Sequence, residues 1–150
     1  MECPVCGFVA YANPKPTASA LCVDRGGRVL LARRAIEPFF GAWDLPGGFV
    51  EEDEHPLDAL RRELREETGL EIEPLDYFGV WMDHYGGDST AQSTLNLVWT
   101  ARVARGRPAP ADDVSELRWF APEELPPAGE CAFEMVAHVL SAWRARQQHT

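Results

Sequence analysis

The spacing of apolar positions changes along the chain, and each change marks an element. "ASALCVD" (18–24) is an apolar, β-rich run that ends on "RGG", a turn signal at Arg25–Gly27. "RVLLARR" follows, so Ala18–Arg34 reads as a hairpin or two adjacent strands. Residues 1–17, with a Cys-x-x-Cys pair and the proline-spaced "YANPKPT", read as an irregular arm before one main domain, 18–150. "IEPFFGAW" is an aromatic loop, and "DLPGGFVE" a short extended segment. The period then turns helical. His55 suits the N-cap, Pro56 the first helical position, and Leu57, Leu60 and Leu64 form an i, i+3, i+7 stripe. Gly69 suits the C-terminal cap. Further on, "LDYFGVWMDHY" reads as a strand and "GGDSTAQS" as a loop. "TLNLVWTARVA" reads as a strand whose apolar alternation runs through Leu95, Leu97 and Trp99. "RGRPAPADDVS" is a Pro-rich loop, "ELRWF" a short strand, and "FEMVAHVLSAWRARQ" an amphipathic helix with Met135, Val136, Val139, Leu140 and Trp143 on one side. Strands and a few helices in mixed order imply an α/β fold, a sheet covered by helices.

Composition narrows the function. The 150 residues suit one core, and 45% hydrophobic with 25% charged residues is a globular balance. The net charge of −10 disfavours a nucleic-acid polymer or an anionic membrane as partner on net charge alone. No secretory pattern or membrane-length apolar run is visible, so a cytoplasmic, reduced setting is the default.

"RRELREETGL" (61–70) is unusual chemistry for a helix. Glu63, Glu66 and Glu67 are spaced i, i+3, i+4 and share one face. At ~6 Å and an effective dielectric near 20, each like-charged pair costs at most about 3 kcal/mol. An i, i+4 pair of Arg62 with Glu66 returns only ~0.2–0.5 kcal/mol. A hard cation is the better offset, since Mg²⁺ takes carboxylate oxygens and waters. Gly47 and Gly48, just ahead of the helix, let the backbone approach a ligand closely. Glu51, Glu52 and Asp53 read as a solvated acidic turn, whereas Glu54 stands apart.

Gly48, five residues, Glu54, seven residues, then Arg62-Glu63-Leu64-Arg65-Glu66-Glu67-Thr68-Gly69-Leu70 resembles the signature of the Nudix hydrolases over all 23 positions. The flanks "LLARR", "GAWDLPGGFVE" and "ELRWFAPEEL" are similar to the family as well. The resemblance implies an α/β/α sandwich, a mixed β-sheet between helices with the signature as a loop–helix–loop. It implies Mg²⁺ or Mn²⁺ on Glu63, Glu66, Glu67 and the Gly47 carbonyl. Arg62 orients a signature glutamate, and Glu54 supports the site. The implied reaction is attack of water on a phosphorus of a nucleoside diphosphate derivative, with Glu63 as first candidate for general base and Glu116 as second, ahead of Asp112 and Asp113. Arg33 or Arg34 is a candidate phosphate contact, with Gly48 beside it, because the Arg fork suits phosphate oxygens. Phe39, Phe40, Trp43, Trp81, Tyr85 and Trp99 are candidates for stacking on a base.

The substrate class that the flanks favour is ADP-ribose or another nucleotide sugar. A (d)NTP stays open, because "HYGGDS" lacks the proline of ADP-ribose pyrophosphatases, "SQPWPFP" is absent, and Tyr85 only approximates the tyrosine of dinucleoside polyphosphate hydrolases. Two other classes compete: a non-catalytic nucleotide-sensing module, and an isopentenyl diphosphate isomerase, which would need a catalytic cysteine such as Cys22. "CPVCG" (Cys3–Gly7) resembles half of the zinc ribbon found before some Nudix domains. Zn²⁺ on Cys3 and Cys6 would need two further ligands, and no histidine pair has the spacing to supply them. A homodimer is the default oligomer.

Overall fold

The computed structural model describes residues 1–149. Its elements run β1 (Lys15–Cys22), β2 (Val29–Arg34), β3 (Trp43–Asp44), β4 (Gly47–Phe49), α1 (Pro56–Thr68), β5 (Glu71–Tyr85), β6 (Gln92–Arg105), β7 (Val114–Phe120) and α2 (Phe133–Gln147). The strands form two sheets, β4-β1-β6-β5 and β3-β2-β7. β1 and β6 are parallel and the other pairs antiparallel, so the four-stranded sheet is mixed, as expected.

The consecutive strands β1 and β2 do not pair as a hairpin, which corrects one of the two readings of 18–34. They separate into different sheets, and the pairing between them is a single bridge of Val23, just past β1, with Val29. Asp24 shapes the turn between them. Its Oδ1 accepts from the N–H groups of Gly26 and Arg28, both at 2.9 Å, which makes the turn self-contained. The arm is also shorter and more regular than expected. β1 begins at Lys15, and Glu2 pairs with Val9 around the Cys3–Gly7 turn.

Alternation along β1 builds the three layers. Ala18, Ala20 and Cys22 face α1, and with Leu30, Leu60, Leu64 and Leu70 they form one buried cluster. Leu21 faces the other way, into a cluster with Val29, Leu31, Val98 and the Met135, Val136, Val139, Leu140 and Trp143 stripe of α2. The small alanines let α1 lie close on β1. Leu60 and Leu64 are fully buried, each worth roughly 1.5–3 kcal/mol. The helix ends form as the sequence dictates. The His55 ring accepts from the Leu57 N–H at 3.1 Å, and Gly69, at φ 72°, donates to the Arg65 carbonyl.

The alternation of β6 is present, and the fold decides which of its two faces is the more covered. Thr94, Asn96 and Val98 are buried, whereas Leu95 and Leu97 are only half-buried. Period two shows which residues share a face but not which face is covered. The covered face is the one under α2 and the cavity described next. Among the described residues no helix is long and apolar enough to cross a membrane.

Candidate active site

The carboxylates of α1 are held by one arginine. Arg62 donates twice to Glu54 (2.8 and 2.9 Å), and once each to Glu63 Oε1 (2.9 Å), Glu66 Oε2 (3.2 Å) and the Phe49 carbonyl (3.1 Å). This fork ties the start of the loop–helix to the helix itself. Its hydrogen bonds with Glu54 hold that carboxyl down at about 2, and the Arg62 guanidinium is itself held more basic than usual.

Glu67 is held differently. Its Oε2 accepts the Gly47 N–H at 3.0 Å, which joins helix to glycine turn. Burial pushes the Glu67 carboxyl well above the usual carboxylate range, and Asp44, Glu63 and Asp112 push it further. Burial also raises Glu63, against the pull of Arg62. Glu66 is half-exposed, with 47% of its side chain accessible against 14% for Glu63. The glycines are needed for contact. A Cβ at Gly47 would strike the Ala18 carbonyl at a backbone φ of 150°, and one at Gly48 would lie 2.5 Å from the Glu63 carboxyl carbon. Gly48→Ala is therefore expected to displace Glu63 and lower kcat at least about tenfold, with little change in melting temperature, because displacements of ~1 Å cost up to ~100-fold. Kinetics beside a thermal melt would check this.

A cavity of about 290 Å³ opens beside these groups. Its lining includes Glu63, Glu67, Gly47 and Gly48 of the glycine turn and α1, Asp112 and Asp113 of a later loop, Arg34 and Asp44, and Tyr85, Asp83, Thr94 and Asn96 of β5 and β6. The loop carrying Asp112 and Asp113 is fastened by the C-terminal carbonyls of α1. Ala109 N–H donates to Thr68 O at 2.9 Å and Ala111 N–H to Glu67 O at 3.1 Å. These are carbonyls that a helix end leaves without intrahelical partners.

The other candidate residues separate. Arg34 lines the cavity, donating to Pro38 O at 2.6 Å and to Asp44 at 3.1 Å, beside the rings of Tyr85 and Phe133. Arg33, its strand neighbour, points the opposite way, over Trp43, and pairs with Glu116 at 3.0 Å. Glu116, also bonded to Arg118, is not brought to the cavity, whereas Asp112 and Asp113 are. Arg33 and Glu116 form an ion pair and are not among the residues lining the cavity, so of the two arginines offered as a phosphate contact it is Arg34 that faces it. Of the stacking candidates, Tyr85 lines the cavity, Phe39 packs on Phe133, Trp43 and Trp81 join the α2 core, Phe40 is exposed, and Trp99 lies with Tyr77. Cys22 is fully buried on the α1 side, its thiol pushed up to about 12 by burial, so it cannot serve as a catalytic cysteine in the cavity.

Sequence reasoning missed Asp44, Asp83 and the polar floor of Thr17, Thr94 and Asn96. Burial pushes Asp44 up to about 6 while Arg34 pulls it back. For the floor a signal existed: Thr94 and Asn96 alternate with leucines inside an apolar strand, as residues facing a ligand would.

Among the described residues no three His, Cys, Asp or Glu side chains converge on one metal position. For Cys3 and Cys6 this leaves the zinc-ribbon resemblance without support. For the glutamates the donor chemistry still fits a hydrated divalent cation. Buried Glu67 takes one backbone N–H against three like-charged neighbours, and Mg²⁺ keeps several waters, so it needs few carboxylates.

Residues 13–139 match the NUDIX domain family. The NAD-capped RNA hydrolase NudC of Pseudomonas aeruginosa is 32% identical over 150 residues, 98% of this chain and 50% of that protein. An ADP-ribose pyrophosphatase of Methanocaldococcus jannaschii is 30% identical over 116 residues, 77% of this chain and 67% of its own. A solved NUDIX hydrolase from Nitrosomonas europaea superposes with a TM-score of 0.82 at 26% identity, covering 99% of this chain and 80% of that one. The chain spans about half the length of the NudC relatives it matches.

Proposed function

The chain belongs to the NUDIX family, and on that premise we propose that it hydrolyses a diphosphate bond in a nucleoside diphosphate derivative, of ADP-ribose or nucleotide-sugar type. The observation that carries the reading is Glu67: a buried carboxylate, crowded by Asp44, Glu63 and Asp112, on the wall of a cavity that also holds Arg34. A binding module gains nothing from that arrangement, whereas a divalent cation relieves it and can then accept a diphosphate's oxygens.

Glu63, Glu67 and the Gly47 carbonyl would hold Mg²⁺ or Mn²⁺ at the cavity wall, with Glu66, half-exposed on the same Arg62 fork, reaching it through the ion's waters. When bound, such an ion neutralises diphosphate oxygens and acidifies a water. The chain's own residues do the rest. Arg62 fixes Glu63 through Oε1, which leaves Oε2 to accept a proton. The water oxygen bonds to phosphorus, its proton passes to Glu63, and the anhydride P–O bond breaks to release the second phosphate. Arg34, pinned by Pro38 and Asp44, presents positive charge to the diphosphate. The described cysteines are all free, in keeping with a cytoplasmic setting.

A second reading, a diphosphate-linked dinucleotide such as NAD, is favoured by the NudC alignment, which reaches across nearly the whole chain. One panel separates the readings. Purified protein with Mg²⁺ is given ADP-ribose, UDP-glucose, NAD and dGTP, and the products are resolved. AMP with ribose 5-phosphate supports the first reading and AMP with nicotinamide mononucleotide the second. dGMP with pyrophosphate indicates a (d)NTP hydrolase. EDTA is expected to lower any turnover at least about a hundredfold, and no turnover of any substrate would leave a sensing module.

A further inference from the structure

The cavity wall that β5 and β6 contribute has its own hydrogen-bonding logic. Asp83 and Thr94 are directly opposed across β5 and β6, so their side chains share the cavity face. The Asp83 carboxylate is fixed from two sides. Oδ1 accepts the His84 N–H at 2.7 Å, and Oδ2 accepts the Met135 N–H at 2.8 Å, in the first turn of α2. That second bond aims the side chain toward α2, whose Phe133 and Met135 line the same cavity. Each carboxylate oxygen has two lone pairs, so each keeps one acceptor site after these bonds.

The neighbouring groups add a donor. Thr94 Oγ1 accepts from Asn96 Nδ2 at 2.9 Å, so its hydroxyl proton is left to give. The Asn96 amide is locked, because Nδ2 also donates to Trp81 O at 3.1 Å, and Oδ1 accepts from Thr17 at 2.7 Å. Thr94 and Asn96 are almost wholly buried. The wall therefore offers a fixed anionic acceptor beside a hydroxyl donor, on a floor that cannot rearrange.

We propose that Asp83, with Thr94 beside it, is a specificity-determining acceptor for hydrogen-bond donors of the substrate's nucleoside, either a base amine or a sugar hydroxyl. The proposal rests on the nucleotide-hydrolase reading of the cavity. Phosphate carries no such donor and is repelled by Asp83, which directs the diphosphate toward Arg34 and the nucleoside toward Asp83.

The test is binding without metal or turnover, so that it stands apart from the activity assays. AMP, purine riboside monophosphate (no amine) and 3′-deoxy-AMP (no 3′-hydroxyl) are titrated calorimetrically into wild type and Asp83→Asn. Asparagine keeps one oxygen for the Met135 N–H, and equal melting temperatures establish that the variant folds. The expected result is at least about tenfold weaker AMP binding in Asp83→Asn. One of the two analogues should bind wild type as weakly and lose nothing further, purine riboside monophosphate marking the base amine and 3′-deoxy-AMP the sugar hydroxyl. Equal AMP affinity in both proteins, equal losses for all three ligands, or no AMP binding by wild type would overturn the proposal. A folded Asp83→Ala that keeps AMP affinity would do so as well. Hydrolysis of ADP-ribose together with any of these negative results would leave the hydrolase reading standing and remove only Asp83's role.

Discussion

Glu67→Gln is expected to lower kcat at least about a hundredfold at saturating Mg²⁺ while leaving the melting temperature unchanged or raised. The two halves of that result have one cause. Glu67 is buried among Asp44, Glu63 and Asp112, and its charge is costly to the metal-free fold. Glutamine keeps the oxygen that accepts from Gly47 and so keeps the joint between helix and turn. It removes the charge that a cation would meet, and a hundredfold loss corresponds to about 2.7 kcal/mol of transition-state stabilisation. The sign with pH follows. A carboxyl raised on folding binds its proton more readily in the native state, so metal-free stability falls as pH rises through the raised value. The advantage of Glu67→Gln should therefore grow with pH. Kinetics and metal-free melts from pH 5 to 8 would test it, and unchanged kcat would remove Glu67 from the metal seat.

Arg62→Ala should damage fold and activity together. The substitution leaves the Phe49 carbonyl without its side-chain donor and Glu54, Glu63 and Glu66 without their shared cation. Charge-assisted bonds are worth ~1.5–3 kcal/mol each when protected. The guanidinium is one-fifth exposed and Glu66 half-exposed, so screening reduces the sum to about 2–3 kcal/mol. For a chain of this size that is a loss of roughly 5–10 °C in melting temperature. With Glu63 no longer oriented, kcat should fall about a hundredfold. Lysine cannot form the fork to Glu54, so Arg62→Lys should recover part of the stability and little of the rate. The pH signature is opposite to that of Glu67. The Glu54 carboxyl is depressed to about 2, so its contribution is full above its ordinary value near 4.5 and is lost as pH falls through about 2. The difference between wild type and Arg62→Ala should be largest near neutrality and shrink toward pH 2. A Glu54 titration still near 2 in the variant would contradict the pairing.

The local features were legible because they obey local rules. The His55 cap, the Gly69 terminus, the Leu60 and Leu64 anchor and the apolar stripe of α2 each depend on residues within a few turns of one another. The carboxylate cluster was legible for the same reason, since helical spacing alone places Glu63, Glu66 and Glu67 together. Tertiary structure decided where that helix sits and what faces it. Arg33 and Arg34 are indistinguishable as letters, yet strand alternation and the position of α2 put one over Trp43 and the other in the cavity. Glu116 and Asp112 are four residues apart in the chain. Pairing with β2 carries Glu116 to Arg33, and the carbonyls ending α1 hold the loop that turns Asp112 inward.

Thus the sequence by itself determined the carboxylate-bearing helix, its caps and its apolar stripe, because those follow from spacing within one element. Which face of β6 is covered, which arginine lines the cavity, and the placing of Asp44, Asp83 and Thr94 around it came only with the fold. Asp83 and Thr94 meet across the β5–β6 pair while Asp44 comes from the other sheet, so pairing and sheet packing, not spacing along one strand, bring them together.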